Sequence, residues 1–229
     1  MRNDPYEVLL ADTRESLRDH FRLRYRVYCL ETGYENPAQF PNREERDRYD
    51  PHAVHFLLRR PQVAESIGAL RLVLPVDGSL PVDEHGILSA DTRRLIEAGG
   101  VAEVSRVCHL RGDGVPGGRS ATLPDDPGVL FRLLRAAFFY SLETDIEKLL
   151  FLIRPAMARM IGRMAIPLER AGDGCDHRGV RYPYIVDLHQ AVSDMLREVP
   201  ALARHLRPSA AYRRHSEMTY HRVAMRLAS

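Results

Sequence analysis

The chain predicts a mixed α/β (α+β) fold, with a central β-sheet flanked by helices. Short apolar runs of strand length recur along it, and segments of helical periodicity fall between some of these runs but not others. Its 229 residues, 45% hydrophobic and 28% charged, suit one large globular unit. No internal repeat and no second domain is legible, so a single domain over residues 1–229 is expected.

Tyr6 to Leu10 alternates weakly, as a strand opening the sheet would. Asp12-x-x-Glu15 reads as a capping box for a helix from about Thr13 to Cys29, with Leu17, Phe21 and Val27 on its apolar side. Glu31 to Pro51 is polar and irregular, and Pro37 and Pro41 break any long helix there. Irregular stretches of that length in compact domains are functional or disordered. Val54–Arg59 and Ile67–Leu74 are consecutive strands joined near Arg60-Pro61. A short helix follows over Asp91–Ala98, stopped by Gly99-Gly100, and then a strand over Ala102–Leu110. Residues 111–125 form a Gly/Pro-rich loop, and Asp126-Pro127 starts a helix with Asp as cap and Pro at the first turn. Leu149–Ile153 is a buried strand, Pro155 to about Met164 a helix, Tyr184–Leu188 a strand and His189–Glu198 a helix. The polar tail from about Pro208 is expected to be loosely held.

Composition excludes several classes. A formal net charge of +2, without a continuous basic stripe, argues against nucleic-acid binding. Lys148 is the only lysine among 33 basic residues, so bidentate arginine contacts are readily available. Three widely spaced cysteines, Cys29, Cys108 and Cys175, give neither a disulfide framework nor a zinc signature. The start of the chain has no secretory signal pattern, and no apolar run reaches the roughly 18 residues of a membrane span. A soluble, cytoplasmic protein is expected.

The chemistry sits where charge interrupts an apolar pattern. Arg24 shares a helical face with Leu17, Phe21 and Tyr28, and Arg71 lies inside the apolar strand Ile67–Leu74. Buried charge needs a partner. The cluster Glu45-x-Asp47-x-Tyr49-Asp50 supplies carboxylates. Arg24 also reads as a surface arginine with a buried stem, and the acidic cluster as a solvated face or a hard-cation site; it lacks the spacing of a calcium loop. Opposite buried arginines, it makes a charge-balanced pocket rim able to hold a zwitterion. In the strand that follows, alternation puts Glu103 and Ser105 on one face and Arg106 on the other, unless a bulge intervenes. A carboxylate in a dry site has a raised pKa and can act as a general base. Arg159 and Arg163 share a helix face, read either as a solvated face or as a docking patch.

Arg24-x3-Tyr28-x5-Tyr34, then Glu45-x-Asp47-x2-Asp50, Arg71 and Glu103-x-Ser105-Arg106, resembles the signature of acyl-homoserine-lactone autoinducer synthases. Those enzymes typically carry Phe and Trp where this chain has Tyr28 and Tyr34. Leu23-Arg-Tyr-Arg-Val-Tyr-Cys29, His55-Phe-Leu57 and His177-Arg-Gly-Val-Arg-Tyr-Pro-Tyr184 look like acyltransferases of the PEP-CTERM/exosortase system, which are similar to long-chain N-acyl amino acid synthases.

The resemblance implies a GNAT-type acyltransferase fold and transfer of a fatty acyl group to the amine of a small amino-acid-type acceptor. The implied donor is an acyl-phosphopantetheine thioester on acyl carrier protein, with no bound cofactor and no metal. It implies Glu103 as general base. It also implies Arg24, Asp47, Asp50 and Arg71 as the acceptor-side charge network, Tyr28 and Tyr34 as pocket walls, and Ser105 and Arg106 as residues ordering the strand beside the thioester. Arg159 and Arg163 would dock the carrier protein. Classical coenzyme-A-binding members carry a pyrophosphate-binding Gln/Arg-x-x-Gly-x-Gly/Ala loop. Arg111-Gly-Asp-Gly114-Val-Pro116 departs from it, since Pro116 offers no N–H, and this favours a carrier-protein donor. Two rival readings stand beside this one: a homoserine-lactone synthase using S-adenosylmethionine, and a catalytically silent module that binds acyl carriers.

Overall fold

The computed structural model describes residues 5–61, 65–110, 127–163, 166–198 and 211–217. The Gly/Pro-rich loop at 111–125 lies outside the described residues.

The sheet is built from β1 (Glu7–Leu10), β2 (Ala53–Arg59), β3 (Ser66–Val73), β4 (Val101–His109), β5 (Lys148–Ile153), β6 (Glu169–Arg170), β7 (Cys175–Asp176), β8 (Val180–Asp187) and β9 (Arg213–Arg214). Its helices are α1 (Arg14–Tyr25), α2 (Ala90–Ala98), α3 (Pro127–Leu142), α4 (Pro155–Gly162) and α5 (Leu188–Glu198). Among the described residues the strand order is β6-β8-β5-β4-β3-β2-β1-β9, with β7 paired to β8. β4 and β5 run parallel, as do β1 and β9; the other pairs are antiparallel.

The alternation of side chains decides what covers each face. Phe56, Leu58, Leu70, Leu72, Ala102 and Val104 share one core cluster with Val129, Leu133, Ala136 and Ala137 of α3. Leu57, Ala69 and Cys108 share another with Leu23 of α1. His55 and Arg71 have the parity of Leu57 and Ala69, so they point toward α1. Burying leucines and phenylalanines on both faces supplies about 1.5–3 kcal/mol per side chain, which is what carries two polar groups into the sheet interior.

α1 is capped one position later than Asp12-x-x-Glu15 suggests. Thr13 is the cap and Ser16 its partner, each side-chain oxygen accepting the other's backbone N–H, at 3.2 and 3.1 Å. A hydroxyl at the third helical position is short enough to close this ring. The helix continues as a π-helical turn over Arg26–Glu31, closed by Thr32 N–H donating to the Val27 carbonyl at 3.0 Å. Such an insertion rotates the side chains beyond it relative to the helix before it.

β4 departs from regular alternation. Its pairing with β3 shifts between Ala69 and Arg71, and Arg106 has a φ of 50°. Before this bulge Glu103 lies on the α1 face and Val104 on the α3 face; after it Val107 packs against the α3 cluster and Cys108 against α1. The extra residue brings Ser105 and Arg106 to the same side. On its other edge β4 pairs with β5 only over Val101–Val104, so residues 105–109 have no β5 partner and the two strands part there.

The tail differs from expectation over residues 211–217. β9 adds to β1, Ala211 is buried, and the Tyr212 ring packs edge-on against Phe56 at 5.8 Å. Its side chains are polar, but its backbone completes a sheet edge.

Candidate active site

A cleft of about 670 Å³ opens where β4 leaves β5. β4 contributes Glu103 through Val107, the irregular segment before β2 contributes Asp47 and Tyr49, and Tyr28 and Tyr34 flank it. Leu152, Ile153 and Met157 form an apolar side. The far wall is His177, Arg178 and Arg181.

Behind one wall lies a charge network. The Arg24 side chain is 0% exposed; its Nε donates to Glu45, and its Nη1 and Nη2 donate to the two Asp50 oxygens at 2.6 and 3.3 Å. Arg71 Nη1 donates to Asp47 and, at 2.9 Å, to Asp50, while its Nε donates to the Ser105 hydroxyl at 3.1 Å. Arg106 closes the ring, with Nε on Glu45 at 3.2 Å and Nη2 on Asp47 at 3.2 Å. Arg24, Arg71 and Arg106 thus face Glu45, Asp47 and Asp50, and the charges balance. Burial alone would raise the Asp50 carboxyl, but Arg24 and Arg71 outweigh it and hold it well below the ordinary carboxylate range. Burial likewise raises Asp47, and the Arg71 bond more than offsets that.

Tyr28, Tyr34, Asp47, Arg71, Glu103, Ser105 and Arg106 all line the cleft. Arg24 and Asp50 do not; they sit beneath its wall and fix Arg71 and Asp47. The site expected as a pocket rim is therefore two layers, one facing the cleft and one supporting it. Arg159 and Arg163 are exposed on and just beyond α4, whose Met157 reaches the cleft.

Glu103 is the outlier among the carboxylates. It is 3% exposed, and its Oε2 accepts the Val82 N–H at 2.8 Å. Burial pushes its carboxyl up to about 8, against the lowering pull of that N–H and of Arg71. No guanidinium forms an ion pair with it among the described residues. The Val82 N–H comes from a 3-10 turn over Pro81–His85, which composition did not reveal. The signals were local ones: Pro81 at the first position, and Asp83 accepting the Leu80 N–H at 2.9 Å.

The two tyrosines each use their hydroxyl. Tyr28 donates to the Val107 carbonyl at 3.1 Å, in the bulged part of β4, and Tyr34 lies against the Arg154 guanidinium at 3.4 Å. Sequence reasoning missed Glu35, Tyr49, Glu84, His85 and the Arg178/Arg181 wall. Tyr49 donates to Glu84 at 2.8 Å, and the rings of His85 and His177 lie 4.7 Å apart. Burial, Arg178 and His85 hold the His177 imidazole down to about 4, so it is neutral near pH 7. Along β5, Leu152 and Ile153 line the cleft, whereas Leu149 and Phe151, like Phe139 of α3, are buried in the core.

Residues 23–111 match the acetyltransferase (GNAT) domain family. No protein of curated function matches the chain in sequence. Among solved structures, the AHL synthase LasI is similar at 19% identity, with a TM-score of 0.59 over 80% of this chain and 90% of that one. BjaI, a CoA-dependent acyl-homoserine lactone synthase solved with SAM and isopentyl-CoA, is similar at 17% identity, with a TM-score of 0.60 over 85% and 89%. FeeM, an N-acyl amino acid synthase from uncultured soil microbes, is similar at 18% identity, with a TM-score of 0.59 over 87% and 96%. At these identities the likeness is one of fold. The chain carries a GNAT-type fold, a mixed central sheet flanked by helices. None of its described helices is long and apolar enough to cross a membrane.

Proposed function

We propose that the protein is an N-acyltransferase that moves a fatty acyl group from a thioester on acyl carrier protein to the amine of a small amino-acid-type acceptor. The observation that carries this reading is Glu103: a buried carboxyl pushed up to about 8, on the cleft where a GNAT-type sheet parts between β4 and β5. A base poised near the working pH is what amine attack requires, because the nucleophile must be neutral.

In this mechanism the acceptor amine gives a proton to the Glu103 carboxylate, directly or through one water. Its nitrogen attacks the thioester carbonyl and a C–N bond forms. Backbone N–H groups on the unpaired edge of β4, residues 105–109, take the developing oxyanion. Collapse breaks the C–S bond, and the pantetheine sulfur leaves as the thiol, taking up the proton. Arg71 and Arg106, locked by Asp47, Asp50 and Glu45, keep the bulged strand in place while this happens. Arg159 and Arg163 present positive charge to an acidic carrier.

A second acceptor, S-adenosylmethionine giving an acyl-homoserine lactone, is favoured by the likeness to LasI and BjaI. A donor on coenzyme A is favoured by the likeness to BjaI.

Mass spectrometry of organic extracts from cells expressing the protein, beside cells expressing Glu103→Gln, tests the reaction. New acylated amines absent from the variant are expected, and their fragments identify acyl chain and acceptor. Purified protein that turns over none of the carrier or coenzyme A thioesters with any of these acceptors would leave only acyl-carrier binding.

A further inference from the structure

The far wall of the cleft holds positive charge that no carboxylate fully balances. β8 follows a tight turn over residues 176–179, in which Arg178 has a φ of 57° and Gly179 a φ of 93°. A non-glycine residue in the left-handed region is uncommon and marks a turn held for a reason. Two further guanidiniums are tied to this turn: Arg154 Nη2 donates to the Arg178 carbonyl at 2.8 Å, and Arg181 Nε to the His177 carbonyl at 2.7 Å. Arg178 pairs with Glu35, but Arg154 and Arg181 have no carboxylate partner among the described residues. Arg181 is half-buried on the cleft, and burial together with Arg154 and Arg178 lowers its pKa. Two half-buried guanidiniums, Arg178 and Arg181, with the exposed Arg154 beside them are costly to hold together unless an anion completes the cluster.

We propose that Arg178 and Arg181, backed by Arg154, form an oxyanion subsite that binds the carboxylate of the acceptor and so restricts the enzyme to amino acids and molecules with an amino-acid end. This rests on the N-acyl-transfer reading. An oxyanion in this cleft has two sources, an acceptor carboxylate or the phosphate of the donor's pantetheine. The acceptor is favoured because Glu35 ties Arg178 to Arg106, at 3.6 Å, and Arg106 shares Asp47 with Arg71, so the arginine wall adjoins the charge-balanced rim suited to a zwitterion. The zwitterion would then span the cleft, with its carboxylate on the arginine wall and its amine toward Glu103.

Glycine, leucine and phenylalanine, each beside its carboxamide, are assayed as acceptors with hexadecanoyl carrier-protein and coenzyme A thioesters. Wild-type protein is expected to prefer each amino acid over its amide by at least 10-fold in kcat/KM. Arg181→Gln should lower kcat/KM for the amino acid by about 10- to 100-fold, the usual loss with a charge-assisted hydrogen bond, mainly through acceptor KM and with donor KM unmoved. Equal use of amide and amino acid by the wild type, which requires no variant to fold, overturns the proposal. So does a rise in donor KM alone, which assigns the subsite to the pantetheine phosphate. If nothing is acylated, N-acyl transfer fails, and calorimetric titration of the same pairs still decides the subsite. Tighter binding of the amino acid, lost in Arg181→Gln, upholds it; equal binding sinks it.

Discussion

As the base proposed above, Glu103 would set the reaction's pH dependence through its surroundings. With its carboxyl at about 8, most molecules hold it protonated at pH 7, and the base form grows as pH rises. kcat/KM should therefore climb through pH 8. Glu103→Gln should remove that limb and leave only the higher one belonging to the acceptor's own ammonium. Turnover should fall by about 10²- to 10⁴-fold, the usual contribution of a positioned base, while the acyl donor still binds. A variant keeping both the limb and the rate would show that another group takes the proton. Arg24 makes a different prediction because it does not line the cleft. Arg24→Ala leaves Glu45 and Asp50 facing a void, and breaking a buried pair from one side costs about 3–5 kcal/mol. Urea unfolding should show that loss. An unmoved midpoint would mean that the network is solvated and not a support.

At the scale of elements, the backbone closes what side chains alone leave open. β1 would be an exposed edge, and β9 covers it. A chain ending at residue 210 should lose the Tyr212 packing on Phe56 and Tyr140, the Tyr212–Glu143 bond and the Ser216–Asp12 bonds. Burial of one aromatic ring is worth about 1.5–3 kcal/mol, so the urea midpoint should fall by a corresponding amount. An unchanged midpoint would make the tail an appendage. β9 was not legible in the sequence because two arginines carry no strand pattern; only their pairing makes them a strand. β6 and β7 are hidden for the same reason. By contrast β2, β3, β4 and β5 were legible within one or two residues, because apolar residues on both faces leave few other solutions. Arg71 and Arg24 stood out for that very reason, as charges set in apolar company. The bulge at Arg106 left no trace in the sequence. It is a register shift against β3, taken up by an arginine in a conformation that usually belongs to glycine. The Arg178 turn was hidden likewise, so the arginine wall went unread although its residues stood in the His177–Tyr184 motif.

Over the whole molecule, 33 basic and 31 acidic residues nearly cancel, so a macromolecular donor would be guided by where charges stand and not by their sum. The cleft runs from the Arg71 network, past Glu103, to Met157 on α4. Arg159 and Arg163 are exposed on and just beyond the same helix. A carrier protein delivering its pantetheine along the β4–β5 opening would meet them; a coenzyme A thioester, with no protein body, would not. Exposed charges at an interface act mainly on association rate and salt sensitivity. Reversing both, Arg159→Glu with Arg163→Glu, should therefore raise KM for the carrier-protein thioester by about 10-fold or more, most strongly at low salt. kcat at saturation and the KM for the matching coenzyme A thioester should stay within about twofold, since surface substitutions away from the network scarcely disturb the fold. Equal loss with both donors would place these arginines in the fold's stability. No loss with either would move carrier docking to another surface, and a wild-type preference for the coenzyme A thioester would remove the carrier from the reaction.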